Sequence, residues 1–168
     1  MKYGVSLDAD LFHFIEANIE PINCRDNAVL QKIVAECCRI KARIVAEDEH
    51  ETRGLRILLN YGHTFGHAFE IASNYTMLHG SAVSMGMICA ARLARRLNLV
   101  DEAFLDRQLA LHRALNLPVE FPSDVELPRI IELMRHDKKA EFGELRFVLP
   151  TGLGQCRVVG GIEPQHVF

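Results

Sequence analysis

Several features that define large protein classes are missing from this sequence. It has no tryptophan, no Lys/Arg run and no apolar stretch approaching the roughly 18 residues that span a membrane. The first ten residues contain no apolar signal region. The net charge of -3 and the pI near 6.2 argue against a nucleic-acid-binding surface. We therefore expect a cytoplasmic protein that binds neither membranes nor nucleic acids.

The cysteines give no sign of a disulfide framework. Their number is odd and no C-x-x-C pair occurs, while Cys37 and Cys38 are adjacent, which suits neither a disulfide nor a shared metal site. We expect all five to be reduced and most of them to pack in the interior. The five are Cys24, Cys37, Cys38, Cys89 and Cys156.

Composition and periodicity predict one mainly α-helical domain that covers residues 1–168. Apolar residues make up 49% of the 168 residues and charged residues 24%, as in ordinary globular proteins. Helical spacing of apolar residues dominates, so we expect a helical bundle. The predicted helices are 9–18, 27–46, 55–73, 79–97, 101–115 and 123–135. Two short apolar runs, 145–149 and 155–159, are separated by Pro150, Gly152 and Gly154 and predict a small β-hairpin near the C-terminus.

The second predicted helix carries a broad apolar stripe, which indicates a buried face. The stripe consists of Val29, Leu30, Ile33, Val34, Cys37, Ile40 and Ile44.

The third predicted helix contains the segment N-Y-G-H-T-F-G-H-A-F-E, in which polar residues interrupt apolar ones. Arg56, Asn60, His63 and His67 are spaced 4, 3 and 4 apart, which places them on one face of an α-helix. A solvated surface face would explain them. The surrounding residues are apolar nearly all round, however, which is typical of a buried helix, and buried polar side chains need partners. This pattern favours a polar cavity that holds an anion or a metal.

Glycines and a further histidine strengthen this interpretation. Gly62 and Gly66 each precede a histidine, and glycine within a helix costs about 1 kcal/mol relative to alanine, which suggests close approach of another backbone or a ligand. His79 stands at a predicted helix start. Two histidines and a carboxylate would make a catalytic zinc site. Spacing alone nominates His63 and His67 as the ligand pair, and it does not exclude His63 with His79.

The other histidines and basic residues have simpler interpretations from their surroundings. His13, His50, His112 and His166 are expected to be ordinary surface residues, and His136 lies in the charged cluster R-H-D-K-K, which composition alone assigns to a solvated helix end. Lys41 is expected to extend its ammonium to solvent from an otherwise apolar helix.

The segments L-L-N-Y-G-H-T-F-G-H-A-F-E and L-H-G-S-A-V-S-M-G-M together closely resemble 3-dehydroquinate synthase, the second enzyme of the shikimate pathway. Further similar segments follow in the same order: K-Y-G-V-S-L-D-A-D-L-F, K-A-R-I-V-A-E-D-E, H-D-K-K and L-R-F-V-L-P-T-G-L-G. The resemblance extends over essentially all 168 residues. It covers only the family's C-terminal, metal-binding helical domain.

The resemblance implies parts that the sequence itself does not contain. The family has an N-terminal α/β domain that binds NAD, whereas no Gly-rich nucleotide-binding turn is present here. The family's E-x-x-K-Y-G pattern supplies a carboxylate metal ligand, which would lie two positions before Met1. We therefore expect the chain alone to lack one of three metal ligands and to be inactive as a synthase.

The resemblance also implies roles for individual residues. His63 and His79 match the family's ligands for Zn²⁺ or Co²⁺. His67, Asn60 and one lysine of the D-K-K segment, Lys138, match residues that hold the substrate phosphate. Lys2, Lys41 and Arg56 match residues that bind the substrate hydroxyl and carboxylate groups.

The implied reaction converts 3-deoxy-D-arabino-heptulosonate 7-phosphate to 3-dehydroquinate and phosphate. It is a phosphate elimination in which NAD takes and returns a hydride, so the expected partners are a sugar-phosphate substrate, the NAD-binding domain and a second copy in a homodimer. One position departs from the family, because Ser81 stands where H-G-E-A-V has glutamate. The alternatives are another sugar-phosphate cyclase and a non-catalytic helical domain that binds anions or assembles with a partner.

Overall fold

The computed structural model describes residues 1–50, 52–120, 127–139, 145–163 and 167. For residues 127 and 135–139 it describes the backbone alone. The described part is mostly helical. The helices are α1 Lys2–Ser6, α2 Ala9–Ala17, α3 Ile19–Asn23, α4 Asn27–Glu47, α5 His63–Ala72, α6 His79–Arg96, α7 Glu102–Ala114 and α8 Leu127–Lys139. A 3-10 helix spans Arg56–Asn60, and two strands, β1 Phe147–Gly152 and β2 Gln155–Val159, follow α8. The predicted fold class, a helical bundle with a C-terminal hairpin, is confirmed.

Aspartates set the starts of three helices. Asp8, Asp26 and Asp101 precede α2, α4 and α7, and each side chain accepts a 2.9 Å hydrogen bond from the backbone N–H three residues later. This interaction satisfies one of the N–H groups that a helix start leaves without a partner. Local chemistry therefore explains why the predicted starts at residues 9, 27 and 101 agree closely with the structure.

The centre of the fold is the pair α5 and α6. Every residue of α6 from Ala82 to Ala91 is buried, and α5 contributes Phe65, Ala68 and Phe69 to the same core. The pair packs closely because glycines line the contact: a Cβ on Gly66 would lie 3.3 Å from Val83, and one on Gly86 would overlap the carbonyl oxygen of Gly62. The expected close backbone approach at Gly62 and Gly66 is therefore confirmed.

The hairpin closes one side of this core. β1 and β2 pair antiparallel, with Phe147 opposite Val159, and residues 147–150 of β1 are buried against α6. The Gly154 N–H donates a 2.9 Å hydrogen bond to the carbonyl oxygen of Val5, which joins the hairpin turn to α1. The C-terminal strands thus help to hold α1, and with it Lys2, in place.

The prediction of one continuous helix over 55–73 is wrong. The chain forms the 3-10 helix Arg56–Asn60, turns at Tyr61 and Gly62, and only then begins α5 at His63. Gly62 has φ of +80°, a left-handed conformation that glycine adopts without strain. Arg56 and Asn60 therefore do not share one α-helical face with His63 and His67.

The predictions for α4 and for the cysteines were also partly wrong. Of the α4 stripe only Ile40 and Ile44 are buried, and Val34 is 60% exposed, because α4 packs on the remaining elements mainly through its C-terminal half. All five cysteines are free, as expected, but only Cys89 is buried. Two short helices, α1 and α3, escaped prediction because five residues are too few to show a helical period. Ser123, the predicted start of the sixth helix, lies outside the described residues.

Candidate metal and anion site

The turn at Tyr61 and Gly62 sets the direction of α5, whose first residue is His63. The Tyr61 side chain is fully buried, and its hydroxyl donates to the carbonyl oxygen of Met87 at 2.9 Å and contacts Gln108 at 3.1 to 3.2 Å. Because the Tyr61 ring is buried against α6 and α7, the chain is held in the core at this point. His63 therefore begins α5 at a fixed point beside α6.

Three imidazoles meet where α5 and α6 begin. The ring centroid of His63 lies 5.5 Å from that of His67 and 5.4 Å from that of His79, while His67 and His79 are 6.4 Å apart. His63 and His67 come from successive turns of α5, and His79 is the first residue of α6. The structure thus brings together both histidine pairs that spacing had left open.

In two of these rings a hydrogen bond at Nδ1 leaves Nε2 as the nitrogen that is free to bind a metal. The Nδ1 of His63 lies 3.2 Å from the Tyr61 carbonyl oxygen, and the Nδ1 of His79 lies 3.0 Å from Oε1 of Glu70. Both partners are acceptors, so the neutral rings carry their proton on Nδ1 and present the Nε2 lone pair. Metal-binding histidines are typically held in this way.

Burial favours the neutral state that a metal ligand needs. Burial, together with the nearby Lys2 ammonium, lowers the pKa of His63 to about 4. His63 is therefore an uncharged imidazole at neutral pH. Together with the hydrogen bonds of both rings, this shows that the donor set of His63 and His79 suits Zn²⁺ or Co²⁺.

Within the described residues, no group of three or more His, Cys, Asp or Glu side chains is arranged to hold a metal. The described residues therefore offer neighbouring imidazoles, those of His63 and His79 among them, rather than a complete set of metal ligands. The predicted carboxylate ligand lies outside this sequence and stays a prediction.

Lys2 adds positive charge beside His63, and Lys41 lies near Lys2. Burial lowers the pKa of Lys2, and the nearby Lys41 ammonium lowers it further. Among the residues that the structure describes, neither lysine forms an ion pair with a carboxylate. Like charges placed this close favour an anion between them, since an anion would offset their repulsion. Lys41 is exposed, as expected. The sequence did not predict that it lies near Lys2.

Arg56 and Asn60 reach the same region on the 3-10 helix, which packs against both α1 and α4. The loop before it is organised by the buried Asp48, whose two carboxylate oxygens accept from the N–H groups of Arg53 at 2.9 Å and Leu55 at 2.8 Å. These donors, that of Arg53 foremost, lower the pKa of Asp48. Arg56 is half-buried and donates to the Glu49 carbonyl oxygen at 3.4 Å, while Asn60 is exposed.

The remaining sequence candidates have mixed outcomes. His13 and His50 are exposed, as expected, but the prediction that His112 lies at the surface is wrong. His112 is fully buried on α7, with Nδ1 2.8 Å from the Gln108 carbonyl oxygen one turn earlier. Lys138 lies in α8, which packs against α5, but its side chain and that of His136 are outside the described part, as is His166.

Sequence reasoning missed Glu70, although its position indicates the site. Glu70 follows His63 by seven residues and His67 by three, so all three lie on one face of α5. A carboxylate at that spacing on an apolar helix was available as a partner for His79.

A helical domain with a cluster of imidazoles and lysines is typical of the metal- and anion-binding half of an enzyme. The family model described as "3-dehydroquinate synthase C-terminal" matches residues 1–140 of this chain. The chain therefore belongs to the 3-dehydroquinate synthase C-terminal family.

Curated relatives support the same family. The chain is 44% identical over 164 residues to the 3-dehydroquinate synthase of Shewanella frigidimarina, with 97% of this chain and 46% of that protein covered. It is 43% identical to the enzyme of Shewanella loihica with the same coverage. The chain thus spans about half the length of the curated relatives it matches.

Solved structures of related cyclases share the fold. ValA, the 2-epi-5-epi-valiolone synthase of Streptomyces hygroscopicus with NAD+ and Zn2+ bound, matches with a TM-score of 0.87 at 26% identity, over 99% of this chain and 46% of that one. A 2-deoxy-scyllo-inosose synthase complexed with carbaglucose-6-phosphate, NAD+ and Co2+ matches with a TM-score of 0.71 at 27% identity, over 82% of this chain and 40% of that one. None of the described helices is long and apolar enough to cross a membrane.

Proposed function

We propose that this chain is the metal- and substrate-binding domain of a 3-dehydroquinate synthase of the shikimate pathway. The reaction would convert 3-deoxy-D-arabino-heptulosonate 7-phosphate to 3-dehydroquinate and phosphate. The observation that carries the proposal is the meeting of His63, His67 and His79 beside Lys2. The 44% identity to a curated 3-dehydroquinate synthase, against 26% to ValA, favours this reaction over that of the sibling cyclase.

The two histidines with defined tautomers would hold the metal. His63 and His79 present Nε2 while their Nδ1–H groups are engaged by Tyr61 and Glu70. A bound Zn²⁺ or Co²⁺ would act as a Lewis acid on a substrate oxygen. The protein's own contribution is to keep the His63 ring neutral and to hold both rings oriented and adjacent.

The cationic and amide groups would bind the two anionic ends of the substrate. We assign the phosphate to His67, Asn60 and Lys138, and the carboxylate and hydroxyl groups to Lys2, Lys41 and Arg56. Charge-assisted hydrogen bonds from such groups orient a ligand strongly. Because they come from α1, α4, α8 and the 3-10 helix around α5, the substrate would be held from several sides.

The redox part of the reaction would belong to another domain. NAD would supply hydride acceptance and return, and we place it in a separate N-terminal domain joined to the single domain 1–168. The length of the curated relatives supports this arrangement, since the chain covers 46% of the S. frigidimarina protein. The homodimer and the cytoplasmic location stay predictions.

A fusion protein tests this proposal. The 168-residue chain would be joined to the N-terminal half of the S. frigidimarina enzyme and assayed for phosphate release with NAD and Co²⁺. We expect turnover of the heptulosonate phosphate by the fusion and none by the chain alone. NAD-dependent turnover by the chain alone would rule out the separate cofactor domain.

The same assay separates the alternatives. Turnover of glucose 6-phosphate but not of the heptulosonate phosphate would indicate a sibling cyclase, for which Ser81 beside His79 is the sequence hint. Phosphate binding without turnover of either substrate would indicate a non-catalytic anion-binding domain.

Replacing a metal ligand should abolish this activity. In the fusion, His63→Ala should lower the rate of phosphate release by at least about 100-fold, because metal polarisation contributes several kcal/mol to such reactions. His13→Ala, at an exposed position on α2, is the matched control and should leave the rate unchanged. Equal rates in the two variants would contradict the assignment of His63.

A further inference from the structure

Glu70 is assigned neither to the metal nor to the substrate, yet its carboxylate lies against the site. Its Oε1 is 3.0 Å from Nδ1 of His79, and its side chain is only 16% exposed while that of His79 is 59% exposed. Placing a carboxylate in a mostly buried position is costly unless it has a partner. Here the partner is one of the two histidines assigned to the metal.

The link between α5 and α6 keeps this contact in place. The Glu70 carbonyl oxygen accepts from the Tyr75 N–H at 2.7 Å and from the Ser73 hydroxyl at 3.0 Å. The same Ser73 oxygen accepts from the Met77 N–H at 3.3 Å. Glu70 therefore anchors the turn through its backbone and the histidine that follows the turn through its side chain.

The chemistry of the pair selects one form of the imidazole. An ionised carboxylate only accepts hydrogen bonds, so a neutral His79 must place its proton on Nδ1 and keep the Nε2 lone pair free. An unrestrained imidazole exchanges between two tautomers, only one of which offers Nε2 as a ligand. The neighbouring His63 is held in the same tautomer by a backbone carbonyl oxygen.

We propose that Glu70 is a positioning residue that locks His79 in the Nδ1–H tautomer and so prepares its Nε2 to bind the metal beside His63. The inference deepens the proposed function and rests on it for the identity of His79 as a ligand. The simpler alternative is that the pair only ties α5 to α6. That role would require neither a particular tautomer nor an effect on metal affinity.

Two variants and a control distinguish these roles. Glu70→Ala removes the acceptor, whereas Glu70→Gln keeps an oxygen acceptor without the charge. Glu16→Ala is the control, because Glu16 forms a half-buried ion pair with Arg107 at 2.6 Å, in which neither residue is assigned to the site. Thermal unfolding of all three metal-free proteins identifies any general loss of structure.

The first readout needs no metal. Nitrogen-15 NMR of the 168-residue chain at pH 8.5, above the ordinary titration range of histidine, reports the tautomer of each ring. We expect His79 to be Nδ1–H in the wild type and in Glu16→Ala, to shift towards Nε2–H in Glu70→Ala, and to populate both tautomers in Glu70→Gln, whose amide can accept or donate. An unchanged His79 tautomer in Glu70→Ala would overturn the inference.

The second readout is the Co²⁺ affinity of the fusion with the N-terminal half, which restores the expected carboxylate ligand, followed by visible absorbance. We expect Glu70→Ala to bind Co²⁺ about 10- to 100-fold more weakly than the wild type, and Glu70→Gln to recover part of that loss. Equal affinity in wild type and Glu70→Ala would overturn the positioning role. A wild type that shows the locked tautomer but binds no Co²⁺ would contradict the proposed metal site and leave the tautomer result standing.

Discussion

At the scale of single residues, the Tyr61 hydroxyl shows how a buried polar atom supports the site. The hydroxyl donates to the Met87 carbonyl oxygen on α6 and pairs with Gln108 on α7. The backbone carbonyl oxygen of Tyr61 accepts from Nδ1 of His63. Full burial raises the pKa of Tyr61 well above its ordinary value, so the hydroxyl remains protonated. Tyr61 thus connects two helices through its side chain and the first residue of α5 through its backbone.

Tyr61→Phe should therefore destabilise the fold. The change leaves Gln108 without its hydroxyl partner in a buried position, which costs about 1–3 kcal/mol in the free energy of unfolding. Tyr75→Phe is the matched control, since Tyr75 is 74% exposed and its loss of a hydroxyl should change stability by less than about 0.5 kcal/mol. Urea denaturation of both variants measures the difference, and similar midpoints would contradict the role of the Tyr61 hydroxyl.

The sequence predicted which residues form the site better than it predicted whether each residue is buried or exposed. The segment around His63 indicated a polar site because histidines and glycines there interrupt an apolar pattern. The family resemblance added Lys2 and His79 to the predicted site. Burial of His112 was not predicted, because the buried face of α7 mixes apolar Leu105 with polar Gln108, and only packing against its neighbours shows that this face is enclosed. The Glu70 contact depends on a turn geometry that local pattern does not encode.

At the scale of elements, the close pairing of α5 and α6 depends on glycine. Gly86→Ala would drive a methyl group into the Gly62 carbonyl oxygen, a backbone atom that cannot rotate away. We expect a loss of at least about 1–3 kcal/mol in unfolding free energy. Loss of the site geometry should follow, because Gly62 directly precedes His63.

Gly80→Ala provides a control in the same helix. A Cβ on Gly80 would meet nothing within 4 Å, so the variant should be neutral or up to about 1 kcal/mol more stable. Guanidinium denaturation compares the two variants. A Gly86→Ala protein as stable as Gly80→Ala would show that the helices separate without cost.

Elements with strong local signals were predicted well, and those shaped by contacts were not. The bounds of α4, α6 and α7 agreed within one or two residues, because caps and apolar period mark them. The break at Gly62 was missed, since the apolar pattern runs on through it and only the burial of Tyr61 and the contact with Met87 require the turn. Exposure of Val34 likewise depends on which elements surround α4.

At the scale of the whole molecule, buried histidine couples stability to pH. Burial lowers the pKa of His112 from 6.5 to about 4. Between these values the unfolded chain binds a proton that the folded chain excludes, so stability is full above pH 6.5 and falls as the pH drops towards 4. The loss amounts to about 3 kcal/mol from this residue. His63 acts in the same direction, with a smaller effect because its ring is partly exposed.

Denaturation at several pH values from 7.5 to 4 tests this coupling. His112→Phe, which cannot titrate, should show a flatter dependence of unfolding free energy on pH than the wild type. His13→Gln removes an exposed histidine and should keep the wild-type slope. If His112→Phe had the wild-type slope, the acid sensitivity would have to come from other groups.

The mainly helical class and the C-terminal hairpin followed from periodicity and turn residues alone. What periodicity could not provide was the packing of the pieces: that the hairpin turn hydrogen-bonds to Val5 on α1, or that α1, α4 and the 3-10 helix lie together near α5. Those arrangements are set by contacts between distant parts of the chain.

The short turn from Ser73 to Leu78 has a consequence for folding. His63 and His79 lie sixteen residues apart on consecutive helices, so bringing them together closes only a small loop and costs little chain entropy. Contacts of such low sequence separation form early and quickly. We therefore expect the pair α5 and α6 to bring the imidazoles of His63 and His79 together before the strands and α1 pack, so that the residues assigned to the substrate's anionic groups gather around a centre that is already in place.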